Sequence, residues 1–445
     1  MTQADLKTPP DQISPSQQMY DLICRLFPIC RSITGDGVRQ TLGIIQEQIP
    51  LKIHEIPTGT SVFDWTVPKE WNIRDAYIKD SKGDRIVDFR KCNLHVVSYS
   101  VPFRGRLKIE ELKKHLFTLP EHPDWVPYRT SYYKESWGFC LSQTQLDAMT
   151  EDEYEVCIDS SLQEGYLTYG EHYIPGETTD EILLSTHVCH PSMCNDNLSG
   201  VVLLLALFKH LSQEPRRYSY RFLFIPGTIG SITWLALNEA SASSIKHGIV
   251  VAGAGDKGTF RYKKSRRGNA EIDRVFSYVL RNCTDASTIV DFHPYGYDER
   301  QFCSPGFDLP VGCVMRTPFG QYPQYHTSGD NLQFISLEAL FDSVDKCISA
   351  LTILEANRAF SNQNPKCEPQ LGKRGLYQAI GGQTQTKVNE MAILWVLNFS
   401  DGSHTLLDIA EKSGQSFESI KNAADLLAGH QLVKSLDSPS KGLVF

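Results

Sequence analysis

Between Glu181 and Ile225 the chain runs through an apolar strand, a polar loop, a long apolar helix and a second apolar strand. No other feature constrains the fold as tightly. Glu181 to Thr186 and Tyr220 to Ile225 are strand-length candidates centred on Ile182 to Leu184 and Phe222 to Ile225, and Ser199 to Leu211 reads as a helix. A strand, a crossover helix and a second strand form a βαβ unit, which places the chain among α/β folds with parallel or mixed strands. The strand candidates Tyr154 to Ile158 and Gly165 to Ile174 lead into this unit and are read as part of the same domain.

At 445 residues the chain exceeds one compact domain. Ser14 and Pro15 read as an N-cap and first helical position before Met19, Leu22, Ile23 and Leu26, and a second amphipathic stretch carries Val38, Leu42, Ile45 and Ile49. From residue 61 to 127 tryptophans and prolines mix with short strand candidates, Asn93 to Ser98 and Gly105 to Ile109, and a helix near Glu110 to Phe117. This predicts a small α+β module inserted into a discontinuous α/β domain formed by 1–60 and 128–365. Helices expected near Val388 to Phe399, Leu406 to Ser413 and Phe417 to Gly429 predict a winged-helix-like domain over 370–445.

Composition removes several function classes. The residues are 41% hydrophobic and 22% charged, as in an ordinary globular protein, and the net charge of -8 makes nucleic acid an unpromising partner. From Asp401 to Phe445 there are six acidic residues, four lysines and no arginine, so the C-terminal module is read as a packing or dimerisation element, with a homo-oligomer possible. The basic run Lys263, Lys264, Arg266 and Arg267 reads as a solvated turn. The polar start, Met1 to Gln12, lacks the apolar stretch of a secretory signal, and the longest apolar run, Val201 to Phe208, is too short to span a bilayer. Twelve scattered cysteines suit reduced, mostly buried thiols, and the expected location is the cytoplasm.

The chemistry concentrates in the segment from Ser185 to Gly200, S-T-H-V-C-H-P-S-M-C-N-D-N-L-S-G. It follows the carboxyl end of a strand, where an open α/β sheet holds its ligands, so His187 and Asp196 are expected to face one cleft. Imidazole and carboxylate are good zinc ligands, and His326, in Y-H-T-S-G-D-N, is the best distant third. Three alternatives stand beside this reading. His187 and His190 could satisfy polar groups of a tight turn, Cys189 and Cys194 could join them in a closed structural zinc site, or one of these cysteines could be a nucleophile.

The order Thr-His, loop, then Asn-Asp-Asn-Leu-Ser-Gly opening an apolar helix resembles the metal-binding core of the co-catalytic zinc aminopeptidases. Arg31 to Gly35, Tyr297 to Phe302 with Gly306, and His326-Thr327 resemble further segments of that family in the same order. Over nearly its whole length the chain resembles bacterial aminopeptidase-like domain proteins with an inserted small domain and a C-terminal winged helix. The resemblance implies a zinc-exopeptidase-like three-layer α/β sandwich. His187 matches a metal-binding histidine, Asp196 the metal-bridging aspartate, and His326 the last histidine. Two departures stand out. Cys189 replaces an aspartate, and Phe224 to Ser231, where paired glutamates are expected, contains no carboxylate. Asp256 is a weak match to a remaining metal-binding aspartate and equally suits a turn cap.

Three surviving ligands imply one zinc per chain, although manganese or cobalt suit the same donors. Glu299 is the leading substitute for the missing base, followed by Asp298 and Asp330. Arg300, Tyr325 and Tyr132 are the expected substrate contacts, with Trp65, Trp71, Tyr133 and Trp137 as a candidate wall. The implied activity is metal-dependent hydrolysis of an amide in a small peptide or amino-acid conjugate. The competing class is a noncatalytic metal-binding scaffold or regulator that kept the fold.

Overall fold

The computed structural model describes residues 15–376 and 384–436. The expected Ser14 cap, the polar start and the end of the C-terminal module lie outside them. Two compact units divide the chain, one reaching to Asp273 and adding Cys283–Ile348, the other comprising Arg274–Asn282 and the chain from Ser349 onward.

The first unit is built on an eight-stranded sheet. Its order from edge to edge is Lys52–Pro57, Tyr166–Ile174, Ser219–Ile225, Glu181–His187, Ile245–Val251, Val311–Met315, Phe260–Lys263 and Ser287–Val290. Glu181–His187 pairs in parallel with Ser219–Ile225 on one side and Ile245–Val251 on the other, and Lys52–Pro57 and Tyr166–Ile174 add an antiparallel edge. Every residue of Glu181–His187 is buried, polar ones included, because a central parallel strand is covered on both faces. The helix Ser199–Leu211 matches the expected bounds and buries Val201 to Leu205, Leu207 and Leu211. Because the next two strands in sequence fall on opposite sides of Glu181–His187, the chain order reverses there, and a crevice opens at its carboxyl end.

The inserted module differs from expectation in extent. Its antiparallel sheet runs Arg85–Asp88, Glu70–Lys79, Glu153–Gln163, Phe103–Lys108, so it continues past residue 127 to Gln163. Glu153–Gln163, expected to begin the α/β domain, pairs with Glu70–Lys79 over the register Glu70↔Gln163 to Lys79↔Glu155. Along it Tyr154, Val156, Ile158 and Ser160 are buried while Glu155, Asp159 and Ser161 are partly exposed, an alternation interrupted at the buried Cys157 and typical of an antiparallel strand with one covered face. Asn93–His95 is a 3₁₀ turn instead of a strand, and the expected helix shortens to Ile109–Leu112, followed by 3₁₀ turn and a two-residue strand. Trp71, Phe139 and Tyr154 of the module share one core with Leu183, Leu223, Trp234 and Phe302.

In the second unit, Ala359–Asn362 pairs with Asp401–Thr405 and Val433–Leu436, beside helices Thr384–Phe399, Leu406–Ser413 and Phe417–Gly429. It therefore begins before the expected residue 370. Thr405 and Asp408 form a capping box, and Gly414 at φ 69° ends the short helix in the left-handed region, where a Cβ is penalised. On the last helix Lys421 is paired with Asp425 at 2.7 Å, leaving little positive charge there. Among the described residues, no helix is long and apolar enough to cross a membrane.

Candidate metal centre

His187 ends the central strand, and the loop after it is shaped by three buried polar groups. The Asp330 carboxylate accepts the backbone N–H groups of Cys194 (3.1 Å) and Asn195 (2.6 Å) on Oδ1 and that of Asp196 (2.8 Å) on Oδ2. Burial pushes its pKa up to about 7, against the pull of those donors. Asn197 places Nδ2 2.7 Å from Thr186 Oγ1 and 3.1 Å from Val251 O, while its Oδ1 accepts from Gly253 N at 3.0 Å. Arg31 donates from Nε to the His190 carbonyl at 2.8 Å. The loop also needs Gly200: a Cβ there would stand 2.3 Å from Thr186 Oγ1 and 2.7 Å from Asn197 Nδ2.

These constraints bring three histidines around one carboxylate. His187 Nε2 lies 2.8 Å from Asp196 Oδ1, and Asp196 Oδ2 lies 3.1 Å from His326 Nε2 and 3.9 Å from His190 Nε2. Ligand atoms of His187, His190 and Asp196 all fall within 4.8 Å of one another. His187, His190 and Asp196 are buried, whereas the His326 side chain is 33% exposed and gives the site its open side. Burial opposes the charge of Asp196, but His190, then His187 and His326, outweigh it and hold the carboxyl well below the usual range. Burial pushes His187 down and His190 well down, favouring the neutral rings that bind metals. Asp196 Oδ2 and His326 Nε2 are buried atoms with no hydrogen-bond partner. An imidazole nitrogen and a carboxylate oxygen left without other partners and facing each other can share a cation, and imidazole with carboxylate is a donor set that fits zinc.

Tyrosines wall the centre. Tyr297 stacks on His187 at 3.8 Å, Tyr325 on His326 at 4.0 Å, and Tyr128 stands edge-on to His326 at 5.2 Å. The Tyr132 hydroxyl is 2.9 Å from that of Tyr128. Thus His187, Asp196, His326 and Tyr325 meet at one place, with Tyr132 one residue behind. The other expected residues do not join them. Arg300 is exposed. Glu299 is fully buried in an ion pair with Lys263 at 2.5 Å and accepts the Tyr297 N–H at 2.9 Å, so this lysine is no part of a solvated turn. Its basic neighbours are also paired, Lys264 with Asp291, and Arg266 and Arg267 with Asp308. Asp298 is buried with Oδ1 2.8 Å from Ser231 Oγ and Oδ2 unpartnered, and burial pushes its pKa up to about 7. Asp256 caps a turn, accepting from Gly258 N (2.6 Å), Thr317 and Asn195.

Neither cysteine alternative gains support. Cys189 Sγ sits 3.4 Å from His190 Nδ1 and 3.5 Å from the Tyr297 hydroxyl, and burial pushes the thiol up to about 12, so it is neither a ready ligand nor a ready nucleophile. Burial pushes Cys194 up as well. Where glutamates were expected, a Cβ on Gly227 would lie 2.1 Å from the Tyr297 ring, which fills the space. Sequence reasoning gave His190 a place only in the alternatives, and it missed Tyr128 and the ring of Tyr297. Proximity of His190 to His187 in the chain was the one available signal.

Comparison with known proteins agrees with this architecture. A Clostridium acetobutylicum protein named for polysaccharide biosynthesis and an aminopeptidase-like domain is 55% identical over 417 residues, 94% of this chain and 96% of its own. A crystal structure of a Clostridium acetobutylicum protein described as a peptidase superposes with a TM-score of 0.90 at 53% identity, covering 95% of this chain and 96% of that one. The zinc aminopeptidase BSAP of Bacillus subtilis shares the fold at 13% identity, with a TM-score of 0.55 over 76% of this chain and 94% of its own. Residues 358–435 match a winged helix-turn-helix family. Residues 20–357 match the family described as a domain of unknown function, DUF4910, and the chain belongs to that family as an aminopeptidase-like domain protein.

Proposed function

We propose that the chain is a metal-dependent hydrolase of an amide bond in a small peptide or amino-acid conjugate, acting at the centre around Asp196. The observation that carries this is the facing pair of unpartnered buried atoms, Asp196 Oδ2 and His326 Nε2, at the carboxyl end of the central strand of an aminopeptidase fold. The name of the Clostridium relative supports the same direction. Asp196 with the histidines around it, His187, His190 and His326, would hold one zinc. When bound, such an ion polarises a carbonyl and lowers the pKa of water toward about 7.

The remaining steps belong to the chain. Tyr325 and Tyr128, with Tyr132 behind, bound the open side at His326 and restrict it to a small substrate or a chain terminus. Lys263 already neutralises Glu299, which makes Glu299 a poor candidate for handling the proton. Occupation of the space beside Gly227 by Tyr297 favours a second reading, a metal-binding scaffold without turnover.

Elemental analysis of the purified protein, with Asp196→Ala and His326→Ala, tests both. One zinc per chain lost in both folded variants, together with chelator-sensitive turnover in an amide library, is the expected result. Bound zinc with no turnover across the library would favour the scaffold. Absence of metal from the wild type would refute both readings.

A further inference from the structure

Of the aromatic residues expected to wall a pocket, Trp71 and Trp137 are taken up inside the fold. Trp71 is 2% exposed and donates its Nε1–H to the Ser100 carbonyl at 2.9 Å, and Trp137 stacks on Phe103 at 4.1 Å and on His115 at 3.8 Å. Trp65 and Tyr133 differ. They stay 45% and 55% exposed although their rings adjoin, with centroids 5.4 Å apart and planes tilted by 60°. Adjoining large rings that face water form a ligand surface rather than core.

Backbone geometry holds both rings in place. Ser61–Val62 and Trp65–Thr66 form a hairpin in which Trp65 pairs with the fully buried Val62, and Phe63 in its turn has φ 57°. Tyr132 and Tyr133 are the central residues of a second turn, closed by the Lys134 N–H on the Ser131 carbonyl at 3.2 Å. Tyr133 has φ 64°, at a turn position that ordinarily takes glycine. A bulky side chain is disfavoured there, so the ring is displayed against a local cost. The turn sends its tyrosines to different neighbours: the Tyr132 hydroxyl goes to Tyr128 beside the metal centre, and the Tyr133 ring goes to Trp65.

Tyr133 also lines a cavity of about 360 Å³, within the range of small-molecule sites, and none of His187, His190, Asp196 and His326 lines it. Tyr99 forms part of the wall, fixed by its hydroxyl on the Lys69 carbonyl at 3.0 Å. The lining carries Lys69 and Lys134 against Glu135 and Glu164, with Lys69 3.6 Å from Glu135. Two charges of each sign cancel, which disfavours a ligand with a net charge. Ammonium donors beside carboxylate acceptors suit a ligand whose hydroxyls both donate and accept. A pyranose has that character at its edge, and its C–H face is apolar enough to lie on an aromatic ring.

We propose that Trp65, Tyr133 and this cavity form a carbohydrate subsite that binds a neutral pyranose unit independently of the metal centre. The test is a saturation-transfer NMR titration of the full chain with methyl β-D-glucopyranoside, methyl β-D-galactopyranoside and methyl α-D-mannopyranoside, beside glucuronate and glucosamine as charged counterparts. At least one neutral glycoside is expected to bind with a millimolar Kd, with saturation strongest on its ring C–H protons, and a chelator should leave that binding unchanged. Trp65→Ala and Tyr133→Gly should each weaken it about tenfold, whereas Trp65→Phe, which keeps a ring face, should stay within about threefold. Glycine suits φ 64°, so Tyr133→Gly removes the ring without straining the turn and remains informative if Trp65→Ala misfolds, which circular dichroism would reveal. No binding of any neutral glycoside at tens of millimolar, equal binding by the folded variants, or tighter binding of glucuronate or glucosamine would overturn the proposal. Loss of binding on chelation would place the sugar at the metal centre and overturn it too. A chain that binds the glycoside yet turns over no amide would uphold this subsite while the hydrolase reading fails.

Discussion

Lys263 and Glu299 form an ion pair of which only 1% and 0% of the side chains are exposed, at 2.5 Å. Lys263 Nζ also donates to the carbonyls of His293 (3.1 Å) and Tyr295 (3.0 Å), and Glu299 Oε2 accepts the Tyr297 N–H. The pair thereby ties down the segment that lays Tyr297 over His187. Glycine is required at 296, where a Cβ would stand 2.0 Å from Glu299 Oε1. Removing one partner of a buried pair costs about 3–5 kcal/mol, because the other charge is left uncompensated. Lys263→Met belongs at the upper end of that range, since the carboxylate keeps only one N–H donor. Glu299→Gln belongs at the lower end, since two carbonyls still accept from the ammonium. Lys263→Met/Glu299→Gln removes both charges while the Gln oxygen can still receive the Tyr297 N–H, so its cost should fall below about 2 kcal/mol, with a coupling of about 6 kcal/mol. Urea unfolding followed by tryptophan fluorescence reads the first unit, which holds every tryptophan except Trp395. Single variants that each cost under about 1 kcal/mol, or costs that simply add, would refute the anchoring role. Glu299→Gln with unchanged stability and abolished turnover would return Glu299 to the role of base.

Asp298 carries a pH prediction. Its carboxyl rises from 3.8 to about 7 on burial, so the folded state holds its proton more tightly than the unfolded state. Its contribution to stability is then fully present below about pH 4 and is lost as the pH rises through about 7, by an order of about 4 kcal/mol. Asp298→Asn should remove that slope: in urea denaturation it should match the wild type at pH 4 and exceed it at pH 8, and parallel curves across this range would contradict the assignment. At Gly200, an alanine would press on Thr186 Oγ1 and the Asn197 amide, so about 1–3 kcal/mol of destabilisation is expected with weakened zinc binding. Wild-type thermal stability and zinc affinity in that variant would show that the loop has room the contacts do not allow.

Local pattern explains what could be read without a structure. The helices Ser199–Leu211, Leu406–Ser413 and Phe417–Gly429 fall at the expected residues because apolar periodicity, Thr405 and Ser416 as caps and Gly414 as a stop act within a few positions. The central parallel strands were legible for a similar reason, as burial on both faces leaves short apolar stretches without polar alternation, Ile182 to Leu184 and Phe222 to Ile225. Partner choice lies beyond that reach. Nothing local to Glu153–Gln163 names Glu70–Lys79 as its neighbour, and so the module was drawn too short. The resemblance of the segment around Glu299 to one of the family's suggested a base, but Lys263, distant in sequence, neutralises it. Asp330 looked like a spare acid and proved to be the acceptor that shapes the metal loop. Sequence determined the α/β framework and the residue types of the centre, since both follow from local periodicity and chemistry. Only the tertiary structure decided which charges are paired and which lone pairs remain free, because those depend on through-space contacts between segments far apart in the chain.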